Sequence, residues 1–142
     1  MHNPNVKFPI SGACQCGQLT YQLFEKPKMV LACHCTECQK LAGSPFSVTA
    51  VIDTSAIKFS GEMKEWSRSA DSGNENIAKF CPNCGTRIYH YNPADMSTIK
   101  LKLKPIAPEV ANLFEPSAHV WVSKKLSWYT IPDGMKCIDK QP

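Results

Sequence analysis

No stretch of this chain approaches the roughly 18 consecutive apolar residues that a membrane-crossing helix needs, which excludes a helical transmembrane protein. The opening residues, MHNPNVKFPISGAC, lack an apolar run behind a basic start, so no secretion signal is expected and a cytoplasmic location is. There is no linker, no internal repeat and no low-complexity tract, and 142 residues fit one domain of about 100 to 200. That domain is expected over 8–136, with tails at 1–7 and 137–142. Charge of one sign is also scarce: 16 Lys and Arg against 12 Asp and Glu leave +4, with no dense basic patch carrying interleaved aromatics. Neither a nucleic-acid partner nor a membrane surface is expected from that balance, and nothing in the sequence speaks to oligomeric state.

What is present points to β structure. Eleven prolines and seven glycines supply turns that suit short strands. Leu19, Tyr21 and Leu23 alternate with polar residues, Val48, Ala50 and Ile52 share one phase within 46–52, and Ile99, Leu101 and Leu103 alternate with Lys100, Lys102 and Lys104 up to Pro105. Those three lysines share one strand face, expected to be solvated or to protect an edge. Further strands are expected at Met29 to Ala32, Ile57 to Phe59, Arg87 to Tyr91 and Val120 to Val122. One short helix is expected over Glu37 to Ala42, with Thr36 and Gln39 as a capping box and Gly43, Ser44 and Pro45 as its stop. The polar segment Arg68 to Asn76 reads as an exposed loop.

The eight cysteines carry the chemistry. In a reducing compartment clustered thiols are metal ligands more often than disulfides. Cys14 and Cys16 share one side of an extended segment, and Cys81 with Cys84 has the two-residue spacing and following Gly of a zinc knuckle. The two pairs together make a closed, structural four-thiolate zinc site. The third cluster, Cys33, Cys35 and Cys38, offers three sulfurs, and three protein ligands with a free fourth position are the pattern of catalytic zinc. Closure of that site by Cys137, His90 or His119, or a purely structural role, stays open at this point. If the position is free, a thiolate-rich zinc suits a substrate thiol, which would then attack an aldehyde carbon.

The segments GACQCGQLTY, ACHCTECQKLAGSPF, FCPNCGTRIY and HVWVSKKLSWYTIPDG resemble the family of glutathione-dependent formaldehyde-activating enzymes, which includes the domain of centromere protein V. The resemblance implies a mainly β fold, the β-tent, of short antiparallel sheets with one short helix. It implies two zinc ions per chain: a structural one on Cys14, Cys16, Cys81 and Cys84, and a working one on Cys33, Cys35 and Cys38. The implied activity is that of a carbon-sulfur lyase that forms or cleaves a thiol-aldehyde adduct such as S-hydroxymethylglutathione, with glutathione or a similar small thiol and an aldehyde as partners. A zinc module that binds a protein or nucleic acid without catalysis is the alternative, and zinc storage or redox sensing a third.

Other side chains are weaker candidates. Lys40 and Arg87 lie near the clusters and suit a carboxylate, although exposed cations usually contribute little. His34 is read either as a proton shuttle or as a packed residue. Trp121, Trp128 and Tyr129 are expected to cover the sheet.

Overall fold

The computed structural model describes residues 6–140; 1–5 and 141–142, parts of the expected tails, lie outside the described residues. The elements are β1 (Ile10–Ala13), β2 (Thr20–Leu23), β3 (Met29–Cys33), α1 (Thr36–Ala42), β4 (Ser47–Asp53), β5 (Ile57–Ser60), β6 (Lys64–Ser69), β7 (Glu75–Phe80), β8 (Arg87–Asn92), β9 (Asp95–Leu101), β10 (Ala118–Val120) and β11 (Lys136–Ile138). A small antiparallel sheet has the order β1-β2-β5, and a large sheet the order β11-β10-β3-β4-β9-β8-β7-β6. The fold is mainly β with one helix, and among the described residues no helix is long and apolar enough to cross a membrane.

Two pairings are parallel, β10 with β3 and β10 with β11. Parallel neighbours need a long connection: β10 and β11 are joined by the segment between Val120 and Lys136, with a 3-10 turn at Val122–Lys124, and β3 and β10 by the chain that runs through β4 to β9. Strand β11 lies across the expected domain boundary at 136 and pairs with β10, His119 opposite Cys137.

Sequence periodicity finds the strands that bury one face. In β2 the burial alternates strictly, with Tyr21 and Leu23 inward. In β4 the apolar phase of Ala50 and Ile52 is also buried, but so are Ser47 and Thr49 on the opposite face, where the Lys102 side chain reaches their hydroxyls. The segment 120–122 divides: β10 ends at Val120, and Val122–Lys124 form a 3-10 turn.

Three expectations are corrected. The polar segment Arg68 to Asn76 is a loop only over 70–74, because β6 and β7 run into it from either side as an exposed hairpin. Its outward residues carry no apolar period, so period-two reasoning had no signal to find. The helix is capped by Cys35, whose sulfur accepts from the Cys38 amide at 3.3 Å, and not by Thr36; Gln39 instead donates to the carbonyls of His34 and Lys124. The lysine stripe is neither an edge nor uniformly solvated. Strand β9 is interior and ends at Leu101, after which Lys102 turns in and donates to Ser47 Oγ at 3.2 Å and Thr49 Oγ1 at 2.6 Å.

The core is built from Leu19, Tyr21, Leu23, Ile52, Ile88 and Leu101. Gly12 pairs with Tyr21, and the ring lies over it so closely that a Cβ there would sit 2.2 Å from Cε2. The Tyr21 hydroxyl donates to the Leu103 carbonyl at 2.8 Å, which ties the small sheet to the segment leaving the large one. Three histidines are buried, His34 at 0%, His90 at 5% and His119 at 3% exposure. Burial holds all three below their ordinary pKa, and for His90 burial with Lys102 and Arg87 nearby pushes it to about 2.

Two predictions follow from this packing. Tyr21→Phe is expected to cost about 1 kcal/mol through its lost hydrogen bond, and Gly12→Ala about 1 to 3 kcal/mol through overpacking, both read by urea unfolding of the metal-loaded protein. The unfolded chain takes up protons below about pH 6.5 that the buried histidines refuse, so folding stability falls as pH drops. His90→Gln is expected to remove about 1 kcal/mol of the loss between pH 7.5 and 5.5; an unchanged loss contradicts a neutral buried His90.

Candidate metal centres

The first cysteine group joins two turns that are remote in sequence. Cys14 follows β1 and Cys16 lies in the turn closed by the Gly17 amide on the Cys14 carbonyl at 3.0 Å. Cys81 follows β7, and the knuckle closes through the Gly85 amide on the Cys81 carbonyl at 2.9 Å, with Gly85 at φ 79°, where a side chain would be strained. The four sulfurs lie within 4.8 Å of one another, with Cys14 to Cys16 at 3.6 Å and Cys16 to Cys81 at 3.7 Å. These separations are far beyond a disulfide bond of about 2.05 Å.

Donors surround these sulfurs as anions require. The Leu19 amide points at Cys14 Sγ at 3.4 Å, the amides of Asn83 and Cys84 at Cys81 Sγ, and Gln18 Nε2 at Cys81 Sγ at 3.1 Å. The Thr86 hydroxyl, 3.1 Å from Cys84 Sγ, followed by backbone amides, lowers the Cys84 thiol to about 5. Four soft donors with amide support suit a closed site for a divalent, thiophilic ion.

The second group forms where β3 passes into α1. Cys33 ends the strand, Cys35 is the N-cap and Cys38 lies in the first helical turn; their sulfurs also fall within 4.8 Å of one another. Three neighbouring thiols cannot all ionise unaided. Hydrogen bonds from Cys33 and Cys38 pull Cys35 down to about 2, whereas the interaction with Cys35, then with Cys38, and burial drive Cys33 far up. For Cys38 the pull of Cys33 is outweighed by Cys35 and burial, so its thiol is also raised. A bound cation removes this conflict, and the donor set therefore fits one.

None of the residues considered for closing the second group does so. His119 Nδ1 meets His34 Nε2 at 2.8 Å, His90 Nε2 accepts from Arg87 at 3.0 Å, and Cys137 is exposed on β11. Among the described residues the group has three ligand side chains and no fourth.

These three cysteines open into a cavity of about 170 Å³. Leu31, Leu41 and Val51 give it apolar walls, and Arg68, Lys100 and Lys102 give it a basic lining. An outer cleft of about 330 Å³ shares Cys35, Arg68 and Trp121 with it and adds Lys40 and Lys124. Trp121 holds the left-handed conformation at φ 56°, alone among the described non-glycine residues, and forms part of both walls. Such an outlier in a bulky residue at a cavity is a recurrent mark of functional sites.

The remaining sequence candidates divide. Lys40 pairs with Glu37 at 3.1 Å and stays exposed, whereas Arg87 stacks 5.9 Å from the Trp66 ring and donates to His90. His34 is a packed residue, enclosed by the rings of His119, Phe46 and Tyr129. Trp128, expected to cover the sheet, is 70% exposed, because it lies in the irregular stretch between β10 and β11. Sequence reasoning passed over Lys102, Ser47, Thr49 and Arg68. The available signal was the pair of hydroxyl residues two apart in an otherwise apolar strand.

The family described as glutathione-dependent formaldehyde-activating enzyme matches residues 9–124, a span that holds both cysteine groups and the cavity's named walls. No curated protein matches the chain. The crystal structure of a Rhodobacter sphaeroides protein superimposes with a TM-score of 0.50 at 14% identity, covering 91% of this chain and 99% of that one, which speaks to the fold alone. With over three quarters of its length matched by one family description, the chain belongs to the glutathione-dependent formaldehyde-activating enzyme family.

Proposed function

We propose that this protein is a zinc-dependent carbon-sulfur lyase that joins a small acidic thiol, glutathione or one like it, to an aldehyde, formaldehyde first among them, and cleaves the adduct. The observation that carries the reading is the three-sulfur group with no fourth ligand among the described residues, opening into a basic cavity. Cys14, Cys16, Cys81 and Cys84 would hold one zinc as a structural clamp, and Cys33, Cys35 and Cys38 a second. Bound there, the second zinc would supply a soft Lewis acid that keeps a substrate thiol deprotonated at neutral pH.

The chain's own residues provide the rest. Arg68 and Lys100, with Lys124 at the outer cleft, attract the carboxylates of an acidic thiol from solution, while Lys40 there is paired with Glu37. Leu31, Leu41 and Val51 limit water around the reacting sulfur, which strengthens the field of the nearby cations. The substrate sulfur gives an electron pair to the aldehyde carbon, the carbonyl pair moves onto oxygen, and that oxygen ends as a hydroxyl. Cleavage runs the same path backwards. The single domain, expected over 8–136, is proposed to extend through the edge strand β11 to Ile138.

Carbon-13 exchange spectroscopy of formaldehyde with glutathione tests the reading. The zinc-loaded protein is expected to speed interconversion with S-hydroxymethylglutathione well beyond the spontaneous rate. Cys38→Ser is expected to abolish the acceleration and one bound zinc while leaving the β-sheet signature in circular dichroism intact. No acceleration by the wild type would contradict the enzyme, and wholesale unfolding of Cys38→Ser would favour a structural second site.

A further inference from the structure

The ammonium of Lys102 is placed with unusual care for a lysine. Its backbone amide is pinned to the Ile88 carbonyl at 2.8 Å, directly after the interior strand β9. An ammonium has three donors. Thr49 Oγ1 at 2.6 Å and Ser47 Oγ at 3.2 Å take two of them, and among the described residues the third has no protein acceptor. Ser47 and Thr49 lie two apart on one face of β4, and Ser47 is the register partner of Cys33. The acceptor pair that aims the ammonium is therefore one strand away from the three-sulfur group.

Lys102 and Thr49 line the same cavity as Cys33, Cys35 and Cys38. No carboxylate among the described residues forms an ion pair with Lys102. A cation held away from water without a carboxylate is costly unless other negative charge compensates it. The cysteine sulfurs oppose that cost without cancelling it: burial, the larger effect, holds the Lys102 ammonium below its ordinary pKa, while Cys38, Cys33 and Cys35 favour the charged form. The other cations of the region are engaged differently or exposed: Arg87 is held by His90 and Trp66, and Lys100, which lines the same cavity, stays exposed to solvent.

We propose that the free donor of Lys102 binds the aldehyde oxygen, making Lys102 a catalytic residue for the carbon-sulfur bond-forming and bond-breaking step. This rests on the reaction proposed above. As the substrate thiolate pair forms the carbon-sulfur bond, the carbonyl π pair moves to oxygen, and the resulting alkoxide accepts the Lys102 hydrogen bond. That oxygen then takes a proton from cavity water, and hydroxide leaves to solvent, so thiolate, aldehyde and water give hydroxymethyl thioether and hydroxide. In reverse the same donor holds the oxygen while the carbon-sulfur bond breaks. Thr49 and Ser47 are positioning residues that direct the ammonium.

The test compares wild type, Lys102→Met and Thr49→Val, each zinc-loaded, in the exchange assay, with formate as a binding probe. Formate carries one carbon and two oxygens, and added after glutathione it titrates the oxygen site with the thiol position filled. Removing one such donor is expected to lower kcat about 100-fold in Lys102→Met. Its formate affinity by calorimetry is expected to fall about tenfold, as for loss of one charge-assisted bond, while glutathione still raises the charge-transfer band of the cobalt-substituted protein. Thr49→Val keeps the cation and loses its aim, and is expected to lose kcat about tenfold at unchanged metal content; it decides the matter if Lys102→Met loses its metals. Wild-type kcat or equal formate affinity in the lysine variant, or wild-type kcat in Thr49→Val when that variant decides, overturns the assignment alone. A wild type without acceleration overturns the reaction and the assignment together.

Discussion

The convergence of thiol sulfurs from distant turns is the constraint on which this structure depends. Cys16 and Cys81 come within 3.7 Å across a sequence separation of 65, bringing the β1–β2 turn against the β7–β8 knuckle. Four ionised sulfurs at such spacing repel one another, and amide donors alone do not offset that repulsion. On the proposed assignment zinc converts the repulsion into the strongest tie in the molecule, between the small sheet and one arm of the large one. The sheets themselves are short, and β1 and β10 have only four and three residues, so a cross-link of this kind matters more here than in a domain with long ladders.

The second group uses the same ligand chemistry with a different outcome because of where the chain places it. A strand end, an N-cap and a first helical turn spend all three sulfurs on one side, and the next polar groups belong to a cavity rather than to a fourth ligand. The charged groups there come from different elements: the sulfurs from the β3–α1 junction and the ammonium from the end of β9, beside the hydroxyls of β4. The histidines take no part in the sulfur group; burial keeps them neutral, His34 and His119 against each other and His90 under Arg87.

Much of this was legible in the sequence, and the rest was hidden for identifiable reasons. The spacing of Cys14 with Cys16 and of Cys81 with Cys84 pointed to one cluster because turns of that length leave both sulfurs on one side, and the four sulfurs do converge. The alternation around Tyr21 and Leu101 reported strands because each buries one face. The β6–β7 hairpin escaped because its exposed arm has no apolar period, and the parallel β10 pairings because they depend on a long irregular crossover. Lys102 looked like one of three solvated lysines, since alternation assigns side chains to a face without saying what covers it; the face shared by Lys100 and Lys102 lines the cavity, where Lys102 reaches Thr49. Trp121 could not be placed either, since its role depends on a left-handed backbone that a Trp seldom adopts.

X-ray absorption at the zinc edge tests the central claim most directly. One closed four-sulfur site and one open three-sulfur site predict an average sulfur number between three and four per zinc, with a light atom completing the shell. Saturation with glutathione should bring the average to four and remove the light scatterer. An average of four in the free protein, or no change with glutathione, would contradict an open centre that receives the substrate's sulfur.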